Sequence, residues 1–184
     1  GVNYSIPATP WSTLSGLTST AEFTDNTGQS RTPLLRLTDA LAAAPGRVIF
    51  IDHKAPSSEG NDTPSDLASE AALMDYLETI PGAHERFVWK VFKDGFASAE
   101  RARARGFKTW VIYYDAEITT APTHLELADI VGVEWNDTQA QFTAGTDTGK
   151  PVLAHIIKNA GQRDSARTKG ADGFMNSNVT LLGP

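Results

Sequence analysis

Asp52, His53 and Lys54 follow directly after a short apolar segment, and their side chains are suited to chemistry. Because side chains alternate along a strand, Asp52 and Lys54 project to one side and His53 to the other. A carboxylate offers oxygen ligands to a divalent cation such as Mg²⁺ or Ca²⁺, and an ammonium group attracts a phosphate oxygen. The pair therefore predicts a site for a metal ion and a phosphate group. A salt bridge at the rim of a sheet is the simpler interpretation, and His53 is expected to pack under a helix.

Polar residues also stand at the ends of the other apolar segments. They are Asp115, Glu134, Trp135, His155, Lys158, Asn176 and Asn178. Glu134 adds a second oxygen ligand and Trp135 an aromatic face. Lys90 lies inside an apolar segment, so its ammonium group must either extend to solvent or reach an anion in the site. For any one of these residues, the alternative is that a strand end simply meets a polar loop.

A regular alternation of short apolar segments and helical segments positions these residues. Strands are predicted at 48–51, 87–92, 109–114, 130–135, 152–157 and 173–176. Helices are predicted from 33 to about 44 and at 64–79, 96–105, 123–128 and 163–169, with one turn near 138–142. Thr63 before Pro64 is a typical helix start, and Arg101, Arg103 and Arg105 are expected on or near the solvent side of their helix.

Connections of this length allow crossovers between parallel strands, so the pattern predicts an α/β fold with one parallel sheet. The carboxyl ends of parallel strands share one edge, and ligands bind at that edge in both open sheets and closed barrels. We therefore expect six parallel strands in sequential order, with Asp52, Lys54, Glu134 and Asn176 or Asn178 converging at that edge.

The composition restricts the classes of protein that remain. The chain has 184 residues, 40% of them apolar, no cysteine and a net charge of −6, as expected for an acidic globular domain. Without cysteine there is no thiolate metal site and no cysteine nucleophile. The negative charge disfavours nucleic-acid binding, and no apolar run is long enough for a membrane span. Residues 1–31 are predicted to be an irregular N-terminal segment, and residues 32–184 form the α/β part.

Four segments, in this order, resemble the glycerophosphodiester phosphodiesterase family of TIM-barrel phosphodiester hydrolases. Segment 32–41 resembles the family's I-P-T-L-E-E-V-L helix, and segment 48–54 its I-E-I-K strand. Segment 150–159 resembles V-x-V-W-T-V-N, and segment 170–178 is similar to G-V-D-G-I-I-T-D-x-P. The last match is the most specific, because a glycine pair around Asp172 before a final strand rarely arises from composition alone. The likeness spans about residues 32–184.

The resemblance implies a TIM (β/α)8-type barrel of which this chain supplies about the last six βα units. It implies metal-dependent hydrolysis of glycerophosphodiesters or related polymers such as teichoic acid, with a place in lipid metabolism. In that scheme Asp52 is a ligand of a divalent ion (Mg or Ca), and Lys54 is the catalytic cation beside the phosphate. Glu134 is the further metal ligand expected from its own position at a strand end. The substrate-binding residues expected around them are Lys90, Trp135, His155 and Asn176.

Two strands of such a barrel are missing from the pattern. The family's first strand carries H-R-G and its second E-x-D, and the chain has neither motif; none of its four histidines stands in a matching context. We therefore expect a separate segment or chain to supply the first two strands. The alternative is a non-catalytic binding or structural module of a secreted or virion surface assembly. A secreted, cell-surface or virion location is favoured over a cytoplasmic one.

Overall fold

The computed structural model describes residues 10–15, 36–53, 63–92, 95–114, 117–120 and 123–177. The chain divides into two compact units, Gly1–Arg47 and Val48–Pro184. This division falls after residue 47, whereas the sequence pattern started the barrel part at residue 32; the predicted domain boundary stays a prediction. Several residues discussed above lie outside the described part. They are Lys54, Asp115, Asn178 and the predicted start of the first helix at residues 32–33.

The first unit contains two short helices, α1 (Trp11–Leu14) and α2 (Leu37–Ala43). Arg36 precedes α2 and donates hydrogen bonds of 3.1 Å from Nε and from one terminal nitrogen to the Asp39 carboxylate. Its guanidinium carbon also lies 5.4 Å from the ring centre of Trp11. Arg36 therefore connects the two helices of this unit.

The second unit is built on one parallel sheet of six strands. They are β1 (Ile49–Ile51), β2 (Phe87–Phe92), β3 (Lys108–Ile112), β4 (Ile130–Glu134), β5 (Val152–Ile157) and β6 (Gly173–Asn176). The strands lie in sequential order, and every neighbouring pair is parallel. The predicted α/β fold with a sequential parallel sheet is therefore confirmed.

Helices connect the strands. They are α3 (Pro64–Glu78), α4 (Ala83–Arg86), α5 (Phe96–Ala104), α6 (Glu117–Thr120), α7 (Gln139–Thr146) and α8 (Ala160–Lys169), with a 3₁₀ turn at Leu125–Leu127. Thr63 and Thr138 each form a reciprocal capping box, which satisfies backbone N–H groups at the starts of α3 and α7. Gly170 ends α8 in the left-handed conformation. No helix in the described ranges is long and apolar enough to cross a membrane.

The outer face of the sheet packs under the helices. Phe87, Trp89 and Val91 of β2 alternate toward this side and are at most 6% exposed. Trp89 donates a 2.8 Å hydrogen bond from its indole nitrogen to Ser98 of α5. The same serine donates to Glu70 of α3 at 2.6 Å, so one polar chain joins β2, α5 and α3.

The three arginines of the α5 region lie near the solvent side of their helix, as expected, and each one is paired with an acidic side chain. Arg101 contacts the buried carboxylate of Glu70 at 2.5 Å, and Arg103 contacts Asp129 at 2.6 Å. Arg105 binds two carboxylates of α3, at 2.5 and 2.7 Å. Acidic groups on flanking elements hold these guanidinium groups, so the three side chains are 27–36% exposed and are not free solvent-facing groups.

The inner face of the sheet carries a second core of large rings. Val88, Trp110 and Ile112 are at its centre. The ring of Phe50 on β1 lies 5.2 Å from that of Trp110 on β3, although β2 separates the two strands. Neighbouring strands are about 4.8 Å apart, so ring contacts between alternate strands require a curled sheet. Side chains from alternate strands also fill the interior of a (β/α)8 barrel, and the arrangement is consistent with part of one.

Candidate functional site

An ion pair stands at the carboxyl edge of the sheet, on its inner face. The ammonium nitrogen of Lys90 donates a hydrogen bond of 2.7 Å to Oδ2 of Asp52. Asp52 directly follows β1, and Lys90 lies on the neighbouring strand β2. The lysine side chain is only 7% exposed, whereas that of Asp52 is 32% exposed. The carboxylate therefore faces solvent on one side and neutralises a buried charge on the other.

Aromatic rings flank this lysine. Its ammonium nitrogen lies 5.0 Å from the ring centre of Phe92 and 5.7 Å from that of Trp110. Distances of this size allow a cation–π attraction, which is stronger where water is excluded. Lys90 is thus held by one carboxylate and two rings, and all three restrict the position of its charge.

His155 of β5 completes the aromatic side of the site. Its ring lies 5.5 Å from Tyr114 and 6.4 Å from Trp110, both in edge-to-face arrangements. Burial and, next, the positive charge of Lys90 lower the pKa of His155 to about 4, so the imidazole is neutral at physiological pH. Its Nε2 atom is buried and has no hydrogen-bond partner within the described structure. His155 therefore holds an unused hydrogen-bonding group at the site.

The two predicted carboxylates approach the same tyrosine. Burial raises the pKa of Tyr114, and the negative charges of Glu134, Asp52 and Glu117 raise it further. Glu134 ends β4 on the same face as Gly132, and its strand partner on β5 is His155. Asp52, Lys90, Glu134 and His155 therefore lie at one edge of the sheet.

Two other predicted site residues are not brought into this group by any side-chain contact described, although the backbone N–H of Trp135 donates a 3.0 Å hydrogen bond to the His155 carbonyl. Trp135 lies in the turn after β4, where its backbone carbonyl accepts a 3.1 Å hydrogen bond from Lys169 of α8. On β6, Gly173 faces the inner side next to Leu153, whereas Phe174 contacts Arg167 of α8. Strand alternation places Asn176 with Phe174 on the helix side. The substrate-binding roles of Trp135 and Asn176, and the catalytic role of Lys54 outside the described residues, stay predictions.

Tyr114 and Trp110 are site residues that the sequence analysis did not select. Tyr114 stacks on Phe92 at 5.4 Å, and the indole nitrogen of Trp110 is buried without a hydrogen-bond partner within the described structure. The available signal was alternation along β3, because Trp110 and Tyr114 share a face with Ile112. From the sequence alone, both rings are recognisable only as members of an apolar strand.

The other three histidines lie on the helix side of the sheet or in connections. His53 stacks on Trp89 at 5.8 Å and its Nε2 is 3.3 Å from the Ser69 hydroxyl of α3, so it does pack under a helix. His84 contacts Phe107 at 5.1 Å, and His124 contacts Phe96 at 4.3 Å. His155 is therefore the one histidine of the four on the inner face.

The described residues do not by themselves fit a divalent ion. Among them, no group of three or more histidine or acidic side chains lies close enough together to hold a metal. In addition, the Asp52 carboxylate already binds the ammonium group of Lys90. The metal-ligand roles predicted for Asp52 and Glu134 stay predictions.

Comparison with known proteins gives distant structural likenesses only. No protein-family model and no curated protein matches the chain. Among solved structures, the chain is similar to a protein from Silicibacter pomeroyi DSS-3, provisionally described as a glycerophosphoryl diester phosphodiesterase. The TM-score is 0.43 and the sequence identity 15%, and the match covers 62% of this chain but 44% of the other. The chain thus spans less than half the length of that protein.

Proposed function

We propose that this chain is part of a phosphodiester hydrolase and binds the phosphate group of its substrate at the carboxyl edge of the sheet. The observation that carries the proposal is the buried ammonium group of Lys90, held by Asp52 at the edge where parallel α/β folds bind ligands. The ordered resemblance of four segments to the glycerophosphodiesterase family supplies the substrate class. Glycerophosphodiesters or related polymers such as teichoic acid are therefore the proposed substrates.

Without Lys54 the proposed site would carry a net negative charge, which would disfavour an anionic ligand. The positive charges of Lys54 and Lys90 balance the negative charges of Asp52 and Glu134. Lys54 is proposed to face the same side as Asp52, because the two residues are two apart on an extended segment. A phosphodiester carries one negative charge, which two lysines on the same edge can attract and orient.

The residues of this chain supply part of a hydrolytic mechanism. Lys90 and Lys54 would stabilise the charge that develops on the phosphate oxygens in the transition state. His155, being neutral, can donate to or accept from a ligand at Nε2. Proton transfer to the leaving group needs a further acid–base group, which we assign to the two strands that a separate segment would supply.

One observation favours the second candidate, a non-catalytic binding module. Hydrolysis in the related family uses a histidine pair, whereas His155 is the one inner-face histidine here. A chain with one such group can bind a phosphodiester without cleaving it. A binding role in a secreted or virion surface assembly therefore remains the alternative.

Substitution of Lys90 tests the proposal. The full chain should bind bis(p-nitrophenyl) phosphate, measured by calorimetry, and Lys90→Met should weaken binding by about ten- to a hundredfold, the range for one charge-assisted hydrogen bond. Methionine keeps the length and apolar packing of the side chain. Lys108→Met, at the exposed start of β3, is the matched control and should bind as the unsubstituted chain does.

Release of p-nitrophenol in the same samples separates the two candidates. Turnover when the chain is combined with a segment that supplies two further strands supports the hydrolase. Binding without turnover in every combination supports the binding module. If neither the chain nor the combination binds the probe, both candidates are wrong.

A further inference from the structure

We propose that the ammonium group of Lys90 occupies the cation position at Asp52, so that a phosphodiester is bound there by lysine charge and not through a divalent ion on Asp52. The inference rests on the proposed phosphate-binding function. It departs from the metal-dependent scheme that the family resemblance implies. Geometry, burial and the surroundings of Lys90 support it independently.

The contact between Lys90 and Asp52 occupies a carboxylate oxygen that a metal ion could use. Lys90 Nζ is 2.7 Å from Asp52 Oδ2, which is full hydrogen-bond contact between opposite charges. A divalent ion binds carboxylate oxygens at about 2.0–2.6 Å, so ion and ammonium group would compete for the same carboxylate. Two cations at that spacing also repel each other. Metal binding at Asp52 therefore either displaces Lys90 from Oδ2 or places a divalent ion on Oδ1 beside the ammonium group, against charge repulsion.

Burial makes displacement of the Lys90 ammonium group from Asp52 unfavourable. Lys90 is 7% exposed, and the rings of Phe92 and Trp110 lie 5.0 and 5.7 Å from its nitrogen. Strand β2 lies between β1 and β3, and Lys90 itself pairs with Trp110 of β3. A displaced ammonium group would leave the only carboxylate within contact distance among the described residues and remain next to apolar rings. Burial of an unpaired charge is unfavourable, which favours retention of the lysine.

The neighbouring groups also favour one cation of single charge. Within the described residues, no third histidine or acidic side chain stands with Asp52 and Glu134 to complete a metal site. Ca²⁺ needs six to eight oxygen ligands and Mg²⁺ six, and an ammonium group needs three acceptors at most. Asp52, together with a phosphate oxygen of the ligand, suits the ammonium group better than either ion.

Two titrations of the full chain test the inference. Binding of bis(p-nitrophenyl) phosphate is measured in EDTA and in excess Mg²⁺, for the unsubstituted chain, Lys90→Met and Lys90→Arg. Mn²⁺ alone is titrated into the unsubstituted chain and Asp52→Asn. We expect probe binding to agree within about twofold with and without Mg²⁺, to fall about tenfold or more in Lys90→Met, and to survive better in Lys90→Arg, which keeps the charge. Asp52→Asn should leave Mn²⁺ binding unchanged.

Opposite results overturn the inference. Mn²⁺ binding that is lost in Asp52→Asn, or probe binding that requires Mg²⁺, would show that Asp52 is a metal ligand; the proposed phosphodiester function would then stand. Absence of probe binding in both EDTA and Mg²⁺ would contradict the proposed function, and the Mn²⁺ titration would still decide the cation position. If Asp52→Asn does not fold, Asp52→Asn/Lys90→Met replaces it, because the double substitution leaves no unpaired buried charge.

Discussion

Gly132 determines how the rings on the inner face meet. It lies on β4, between Trp110 on β3 and His155 on β5, whose rings are 6.4 Å apart. A Cβ atom at this position would lie 2.6 Å from both Trp110 Nε1 and Ile112 Cγ1. Contacts this short do not occur between atoms that are not bonded, so neighbouring side chains would have to move. Glycine is therefore required here for space.

Gly132→Ala is expected to destabilise the chain by about 1–3 kcal/mol, the usual cost of inserting a methyl group into a packed core. The methyl group would push Trp110 away from the position in which it contacts both Lys90 and His155. Urea unfolding followed by far-UV circular dichroism measures the loss of stability. The near-UV spectrum, which reports on tryptophan packing, should also change.

Gly161→Ala is the control for this substitution. Gly161 lies in the first turn of α8, and a Cβ atom there would meet only Asn159 Oδ1, at 3.4 Å. Neither Gly132 nor Gly161 has a positive φ angle, so the comparison tests space and not backbone conformation. Gly161→Ala should leave the stability unchanged or raise it by up to about 1 kcal/mol. Equal effects of the two substitutions would refute the close-packing argument.

At the residue scale, the contacts of charged side chains could be predicted from the sequence better than the close packing at Gly132. A lysine inside an apolar strand requires an explanation, and the two alternatives for Lys90 included the anion that it contacts. Nothing local indicates that Gly132 makes room for Trp110, because the two residues meet only after the strands pair and curl. The Trp110 and Tyr114 contacts with His155 cross β4, and single-strand alternation does not predict contacts between alternate strands.

Two aspartates form hydrogen bonds to neighbouring strands at the amino edge of the sheet. The carboxylate of Asp129, just before β4, accepts a 2.9 Å hydrogen bond from the backbone N–H of Thr109. The carboxylate of Asp172, just before β6, accepts one of 2.8 Å from the backbone N–H of Val152. In each pair the aspartate backbone N–H donates in return to the carbonyl of the same partner. Each aspartate therefore sets the register of its strand against the preceding one.

The stability of the chain should depend on pH through Asp129. Burial raises the pKa of this carboxyl, but hydrogen bonds from the Thr109 backbone and Arg103 outweigh it and hold the pKa below its ordinary value. A depressed folded-state pKa contributes stability above the unfolded-state value of about 3.9, and this is lost as pH falls through the folded value. Asp129→Asn should cost about 1–2 kcal/mol at neutral pH, and the difference should shrink below about pH 4.

Urea unfolding at a series of pH values measures this difference. Asp147→Asn, at the exposed end of α7, is the control and should change stability by no more than about 0.5 kcal/mol. A difference between the unsubstituted chain and Asp129→Asn that stays constant down to about pH 2 would show that the Asp129 charge does not act as described.

Helices with a strong local start signal, such as α3, could be predicted from the sequence. The length of α7 depends instead on tertiary packing. Thr63, Pro64 and Asp66 together form a start signal, and α3 begins where they predict. Helix α7 is longer than the single turn predicted near residues 138–142. Its sequence contains threonines and a glycine, which are weak helix formers, but Phe142 is fully buried and Gly145 packs on neighbouring apolar side chains. Burial of this face compensates for low propensity.

The sheet as a whole presents apolar side chains at both of its terminal strands. Within the described residues, β1 pairs only with β2 and β6 only with β5. Val48 is 56% exposed, Phe50 40% and Met175 36%. Large side chains in the interior of a complete barrel are normally covered. The order and direction of the six strands could be predicted from the sequence, because each strand and crossover has its own local signal. The segment that would cover the terminal strands could not be predicted, because no local signal in this chain identifies it.

We predict that a separate segment supplying two further strands will pair with β1 and β6. Unpaired strand edges beside exposed apolar side chains promote association between chains. The chain alone should therefore elute from size-exclusion chromatography with light scattering as oligomers or aggregates. Addition of the two strands should yield a single species with one copy of each.

Phe50→Lys, which places a charge beside the β1 edge, should reduce self-association of the chain alone. Tyr76→Lys, at an exposed position on α3, is the control. A folded, soluble monomer of 19.8 kDa would contradict this prediction and show that the two terminal strands need no partner.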